Sequence, residues 1–397
     1  MIKSKRSRIA APALAALCMF ALIAGAAEAG APRARRSTGG LRAALRLAAD
    51  GGKASVAATS GHWQVVARGL NNPRGIDIGP RGAIYIAEAG RGGPRCLDEF
   101  TCVGTTASVT KVWRGDQRRF IRGVSSLAES TGAFAFGLHD VSVPRAGRTF
   151  FTVGGPFNLD LYRALLPEGR WLGHLSHKFD RRGKRLGAFL ARYEARHNPD
   201  RGPIDSDPYS VVAVKGARYV TDAAGNDLLR VGRHGIRTLA VFPERMVDFN
   251  GEQIPMQAVP TGMVKGPDGA LYVGQLTGFP FPVGAARVYR IVPGHKPQVY
   301  ARGFTNIIDI AFDPRGRLHV LEIAKNSLLS DDPTGALIRV NRNGSRTTVA
   351  SDGLVAPGGL AIGPRGRILV SNCGVCPGTG TNPATGSSHG EVVQIPH

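Results

Sequence analysis

The 397-residue sequence predicts an all-β fold, a six-bladed β-propeller built from four-stranded blades. Three observations predict it: a strand–turn–strand unit that recurs six times, two more strand-like runs after each copy, and a lone strand-like segment ahead of the first copy that can complete the last one. The composition agrees. With 53 glycines and 26 prolines the chain is punctuated often, which suits many short strands better than long helices. Hydrophobic residues, 43 % of the total, are enough for a real core, whereas aromatics are sparse at 7 %.

The first 29 residues read as an export signal. Lys3, Lys5, Arg6 and Arg8 form a basic start, Ile9 to Ala26 an apolar stretch, and Ala27-Glu28-Ala29 a small-x-small cleavage site before Gly30. The competing reading is a retained anchor, because ~18 apolar residues approach the spanning minimum. No other segment is apolar enough to span a bilayer, so cleavage would leave no transmembrane span and an extracytoplasmic protein. Residues 30–60 are rich in Ala, Arg, Gly and Ser and are predicted to be a flexible tail. The propeller is predicted over 61–397.

The repeat unit is plainest in PRGIDIGPRGAIYIAE (73–88), PTGMVKGPDGALYVGQ (260–275) and PGGLAIGPRGRILVSN (357–372), with IIDIAFDPRGRLHVLE (307–322) a clear relative. LHDVSVPRAGRTFFTV (138–153) and PYSVVAVKGARYVTD (208–222) are weaker copies, the second with a one-residue gap. Between the two strands, Pro presets φ for a tight turn and Gly supplies the φ > 0 position. Further strand pairs follow, such as KVWRGD with RRFIRGV and ARVYRIV with PQVYARGF. The last copy ends at its third strand, Glu391 to Ile395, and the segment HWQVVARGL (62–70) is the expected fourth. Such a closure would leave no open sheet edge.

In this geometry the start of strand one and the end of strand two share a face at one mouth of the central channel. The strand-two ends are Glu88, Val153, Asp222, Gln275, Glu322 and Asn372; the strand-one starts include Asp140 and Asp309, in opposite blades, with His139 beside Asp140. These positions predict a polar, mainly anionic collar. One reading is a divalent-metal site, calcium or zinc, since hard cations take several carboxylate, amide and carbonyl oxygens and a metal can activate water. The other is that these side chains satisfy backbone groups at the strand ends. The loop QLTGFPFP (275–282) brings Phe279 and Phe281 to the same face, either as a pocket wall or packed on the next blade. A polar connection over 193–209 enters blade three.

Beyond the signal, Cys96, Cys102, Cys373 and Cys376 make an even number in an oxidising compartment, so disulfides are the expectation. The connectivity is open; Cys96–Cys102 and Cys373–Cys376 are the simplest local pairs. The formal charge is +22, and loss of residues 1–29, with four basic residues and one acid, leaves +19. The basic residues are scattered over turns and loops with no basic helix or aromatic-interleaved stripe, so nucleic acid is not the expected partner. An anionic cell-envelope polymer or a small-molecule ligand is, and a monomer is expected. There is no GxSxG, HExxH or phosphate-binding glycine loop.

The repeat text GIDIGPRGAIYIAE and VTDAAGNDLLRV resembles NHL and gluconolactonase-type six-bladed propellers. A narrower likeness lies in YEARHNPDRGPIDSDPYSVVAV, TDAAGNDLLRV, PDGALYVGQLTGFPFPVGAARVYRI and GFTNIIDIAFDPRGRLHVLEIA, which look like the ScyD/ScyE family over roughly residues 62–397. That resemblance implies an exported propeller. Gluconolactonase-type relatives hold a divalent metal with carboxylates and an Asn at strand starts, to which Asp140 and Asp309 would correspond; their Pro-Asn-Gly start is replaced here by Pro-Arg-Gly, Pro-Thr-Gly and Pro-Gly-Gly. Three functions are therefore in competition. They are a non-catalytic ligand- or surface-binding module, a metal-dependent lactonase-like hydrolase, and an extracytoplasmic accessory in assembly of an aromatic metabolite.

Overall fold

Six antiparallel sheets form the blades of a β-propeller, five of them four-stranded and the first carrying a short fifth strand, Arg95–Cys96. The computed structural model describes residues 63–98, 101–155, 157–180, 182–377 and 389–396; the predicted signal and tail lie outside them. The inner strands are Pro73–Ile78, Leu138–Arg145, Pro208–Val214, Pro260–Lys265, Ile307–Phe312 and Gly359–Ile362, one for each blade in chain order. Each inner strand packs beside the next, and the sixth packs beside the first. The strand turns follow the chemistry of their sequence: Gly82, Gly269, Gly316 and Gly366 sit at φ of 77°, 83°, 74° and 79°, where any Cβ would be strained.

Blade six takes its outer strand from the other end of the described chain. Gln64–Leu70 pairs antiparallel with Gly390–Ile395, with Gln64 opposite Gln394 and Leu70 opposite Gly390. Leu70, Ile76, Ile86, Leu369 and Val392 then pack as one buried cluster between blades six and one. Apolar contact between blades thus holds the ring, since a strand that alternates its side chains offers one face to each neighbour.

Three elements depart from the simple repeat. A hairpin, Arg245–Phe249 with Glu252–Met256, stands between blades three and four. Two short helices, Leu159–Ala164 and Leu190–His197, flank the outer half of blade two. The second helix buries Leu190, Ala191 and Glu194 and ends at Asn198 in the left-handed conformation, φ 37°, a residue that tolerates it. His174 lies in the third strand of blade two, is 6 % exposed and stacks on Phe189.

The cysteines form two disulfides, Cys96–Cys102 and Cys373–Cys376. Each closes the loop that leaves a second strand. The first sits on a small extra ladder, Arg95 opposite Val103. The second anchors the blade-six loop, whose Cys376 carbonyl accepts the Asn72 N–H at 2.6 Å.

Candidate functional site

Asp140 and Asp309 line the channel, but as clamps between blades. Asp140 accepts the Val211 N–H at 2.8 Å and the Ser210 hydroxyl at 2.7 Å, both from blade three, as well as the Val141 N–H. Asp309 accepts the Leu360 N–H of blade six at 2.7 Å and its own neighbour's, Ile310, at 2.8 Å. Each carboxylate is also packed against a glycine of the preceding blade. A Cβ on Gly75 would overlap Asp140 Oδ1, and one on Gly262 would overlap Asp309 Oδ1. Burial pushes Asp140 up to about 7 against these hydrogen bonds, and burial together with the charge of Asp140 pushes Asp309 up to about 8. Below them the channel opens to about 680 Å³, with Asp77, Ser142, Asp313 and Lys265 among its lining residues.

The strand-two ends form no open ring. Glu88 accepts the Asn71 N–H at 2.8 Å, Asp222 the Asp207 N–H at 2.6 Å, Glu322 the Thr305 N–H at 2.7 Å and Asn372 the Val355 N–H at 2.8 Å. In every case the donor lies in the connection just ahead of the same blade's inner strand. These side chains therefore pin the crossover into each blade, which satisfies backbone groups that would otherwise be buried unpaired. Glu88 is sealed further by the Ser108 and Thr110 hydroxyls and by Arg119. Gln275 takes Arg245 Nη2 at 3.4 Å. Among the described residues no three His, Cys, Asp or Glu side chains form a group that could hold a metal ion.

The open feature of this mouth is a cavity of about 120 Å³. It is lined by Arg74, His139, Tyr209, Thr261 and Ile308, each from a different blade. These are the residues one position ahead of Gly75, Asp140, Ser210, Gly262 and Asp309. Successive strand side chains point opposite ways, so the position that clamps the blades and the position that faces the mouth are adjacent in sequence. Phe134 and Phe136, from the connection into blade two, supply aromatic wall, and Leu276, Leu328 and Val375 come from loops of blades four, five and six. Phe279 and Phe281 are not in the lining. Phe281 is fully buried in the core behind it, and Phe279 packs edge-on against Phe249 of the extra hairpin at 4.9 Å.

Four polar side chains converge in this apolar setting. His139, 2 % exposed, places Nδ1 3.5 Å from Asp207 Oδ1 and its ring 4.9 Å from that of Tyr209. Gly154 makes room for the pair, because a Cβ there would overlap both the His139 ring and Asp207 Oδ1. Asp207 is held by the Gly155 N–H at 2.7 Å, and Arg74 Nη2 donates to the Ala135 carbonyl at 2.9 Å. What remains is unspent: the Tyr209 hydroxyl, Arg74 Nε and His139 Nδ1 are buried and make no hydrogen bond. Burial, reinforced by Arg74, lowers His139 to about 3, so it is neutral; burial raises Asp207 to about 7 and pushes the Tyr209 phenol up.

No protein-family model and no curated protein matches the chain. Among solved structures it is similar to a streptogramin B lyase (12 % identity, TM-score 0.44, 84 % of this chain and 97 % of that one). It is also similar to a glucose dehydrogenase (13 %, TM-score 0.47, 85 % and 99 %). A third likeness is to the PQQ-bound aldose sugar dehydrogenase of Streptomyces coelicolor (13 %, TM-score 0.44, 84 % and 97 %). The propeller assignment rests on the strand topology above, and nothing about activity follows from these likenesses.

Proposed function

We propose that the protein is an exported binding propeller whose upper channel mouth takes one small cyclic molecule bearing an oxygen acceptor. The observation that carries this is the cavity itself, apolar around a few polar atoms that have no partner in the protein. A buried polar group without a hydrogen bond costs about 1–3 kcal/mol, and ligand sites are typically apolar pockets with a few convergent polar groups. The volume suits about one ring, since a dry cavity of roughly 150 Å³ takes benzene. Arg74 Nε and the Tyr209 hydroxyl are donors, which selects an acceptor such as a carbonyl or phenol oxygen. The two disulfides and the basic-apolar start of the sequence support an extracytoplasmic setting.

Binding suits the site better than catalysis. A histidine lowered to about 3 is a weak base at neutral pH, and the channel carboxylates are already committed to backbone donors. Calorimetric titration with acetophenone, phenol, benzoate and an aromatic γ-lactone tests the reading, with product analysis of the lactone arm. Micromolar to millimolar binding, weakened about tenfold or more by Tyr209→Phe and by Arg74→Met, is the expected result. Loss of one charged or neutral hydrogen bond of about 1.5 kcal/mol corresponds to that factor. Binding that ignores both substitutions would contradict the cavity. Lactone opening that chelator abolishes and added divalent metal restores would instead establish the metal-dependent hydrolase.

A further inference from the structure

We propose that the face of the ring opposite the upper mouth carries a second binding site, a cleft between blades one and two that takes one or two uronic acid units of an acidic polysaccharide. Blade one supplies Arg81, Tyr85, Lys111, Trp113 and Phe120 to its lining, and a turn of blade two supplies Asp180. Arg81 lies in the turn that joins Pro73–Ile78 to Ile84–Glu88, the end of the inner strand away from the mouth. The cleft measures about 320 Å³. On the scale where roughly 150 Å³ takes benzene, that is room for about two rings.

Charge without partners distinguishes this cleft. The segments that meet there, 79–83, 111–120, 144–148 and 178–180, hold eight basic residues and two acidic ones, Asp116 and Asp180. Among the described residues only Arg119 of the eight has a carboxylate within 4.0 Å, that of Glu88. Three of the others lean on rings instead. Lys111 Nζ stands 5.4 Å from the centre of the Tyr85 ring, Lys178 Nζ 4.9 Å from that of Phe120, and the Arg114 guanidinium carbon 5.3 Å from that of Trp113. A cleft lined by one sign of charge between low-dielectric walls focuses its field on a ligand of the other sign. Cations already held on ring faces lose less freedom when that ligand arrives.

The backbone of Arg81 adds a second mark. Gly79-Pro80-Arg81-Gly82 has the same residues as Gly363-Pro364-Arg365-Gly366 in blade six. Both turns are closed by the same two backbone hydrogen bonds, from Gly79 to Ala83 and Gly82 to Gly79 in one, from Gly363 to Arg367 and Gly366 to Gly363 in the other. Yet Arg81 is left-handed, with φ 64°, and Arg365 is not. The local sequence therefore does not require the strained form, which a residue other than glycine keeps only where its surroundings hold it. For Arg81 those surroundings are the cleft.

The mixture of lining groups selects the ligand. The cations suit a carboxylate. The half-buried rings of Trp113 and Phe120 offer apolar surface to the CH-bearing face of a sugar ring. Asp180 is an acceptor for hydroxyl donors. A uronic acid unit presents all three features. The phosphodiesters of a DNA strand bring no hydroxyls, and a bilayer does not enter a concave cleft.

This site does not rest on the ligand reading of the mouth. The experiment is calorimetric titration of the protein with trigalacturonate at low and high salt, about 50 and about 500 mM. Its methyl ester, hexathymidylate and phosphatidylglycerol vesicles are the comparison probes. The variants are Arg81→Gly and Lys111→Met, with Tyr209→Phe as the control at the mouth. Arg81→Gly keeps the turn, because glycine takes φ 64° without strain. The expected result is saturable binding of trigalacturonate that salt weakens, that each cleft variant weakens about fivefold or more, and that esterification weakens about tenfold or more. Tyr209→Phe should leave it unchanged. No binding at low salt would overturn the site, as would equal binding of the ester. Binding that survives both cleft variants, or that is lost with Tyr209→Phe, would place the polymer elsewhere. Tighter binding of hexathymidylate or of the vesicles would replace the polysaccharide with that partner and overturn the proposal.

Discussion

The same six inner strands build two regions of opposite character, one residue apart. At Asp140 and Asp309 the channel is polar and each carboxylate is committed, accepting N–H groups from its own blade and the next. One position earlier, at Arg74, His139 and Tyr209, the mouth is largely apolar and its polar atoms are uncommitted. The comparison teaches that a polar residue in the channel is not by itself a site. Committed groups assemble the ring, and uncommitted ones in an apolar hollow are available to a ligand.

The contrast can be broken most forcefully at the clamps. Asp140→Ala strands the Val211 N–H and Asp309→Ala strands that of Leu360, so each should lower stability by about 2 kcal/mol and the pair by more than either alone. Urea denaturation reads this directly. A double variant as stable as the native protein would end the clamp assignment.

Next in size is the response to pH. Asp140, Asp309, Glu194 and Asp205 have folded-state pKa values raised chiefly by burial to between about 7 and about 9. They keep protons that the unfolded chain has lost. Their contribution is fully present below about pH 4 and is lost as pH rises through those values. His139 and His174 are lowered to about 3 and about 4 and act in the opposite sense, but only below about pH 6.5. From pH 6.5 to 8.5 the acids alone decide, and the melting temperature should fall by roughly 5 °C or more. A flat or rising profile in that window would refute the burial of these carboxylates.

Smaller effects sharpen the comparison at the mouth. Gly154→Ala forces a Cβ into the His139 ring and Asp207, an overpacking that should cost about 1–2 kcal/mol and distort the cavity. Tyr209→Phe removes a hydroxyl with no partner, so its stability should stay within about 0.5 kcal/mol of native or rise, even though ligand binding weakens. Equilibrium denaturation of both variants checks this; a large loss in Tyr209→Phe would mean that the hydroxyl is committed after all.

The blades were legible in the sequence because their turns are spelled out by Gly-Pro-Arg-Gly and its variants, and a fixed period repeats the same physics. Asp140, Asp309 and the strand-two ends stood out for the same reason, as like residues at like positions. Their backbone partners are what the repeat alone could not display. The cavity escaped notice because its lining, Arg74, His139, Tyr209, Thr261 and Ile308, shares no residue type. Reading the repeat one position earlier would have exposed that row. The buried carboxylates around Gly225 were half visible in the connection 193–209 and in Asp222. Only the folded chain brings Glu194 and Asp205 over Gly225, since the helix Leu190–His197 that carries Glu194 lies outside the repeat.

The central claim, that the uncommitted atoms at the mouth receive the ligand, is tested most directly on His139. In protein carrying ¹⁵N-histidine, acetophenone is titrated while the ring nitrogens are followed, with His139→Phe to assign the signal. The account predicts that His139 shifts in a saturable way while His177 and His319, neither of which lines the cavity, stay still. Saturable binding that leaves His139 unmoved would place the ligand elsewhere and contradict the account.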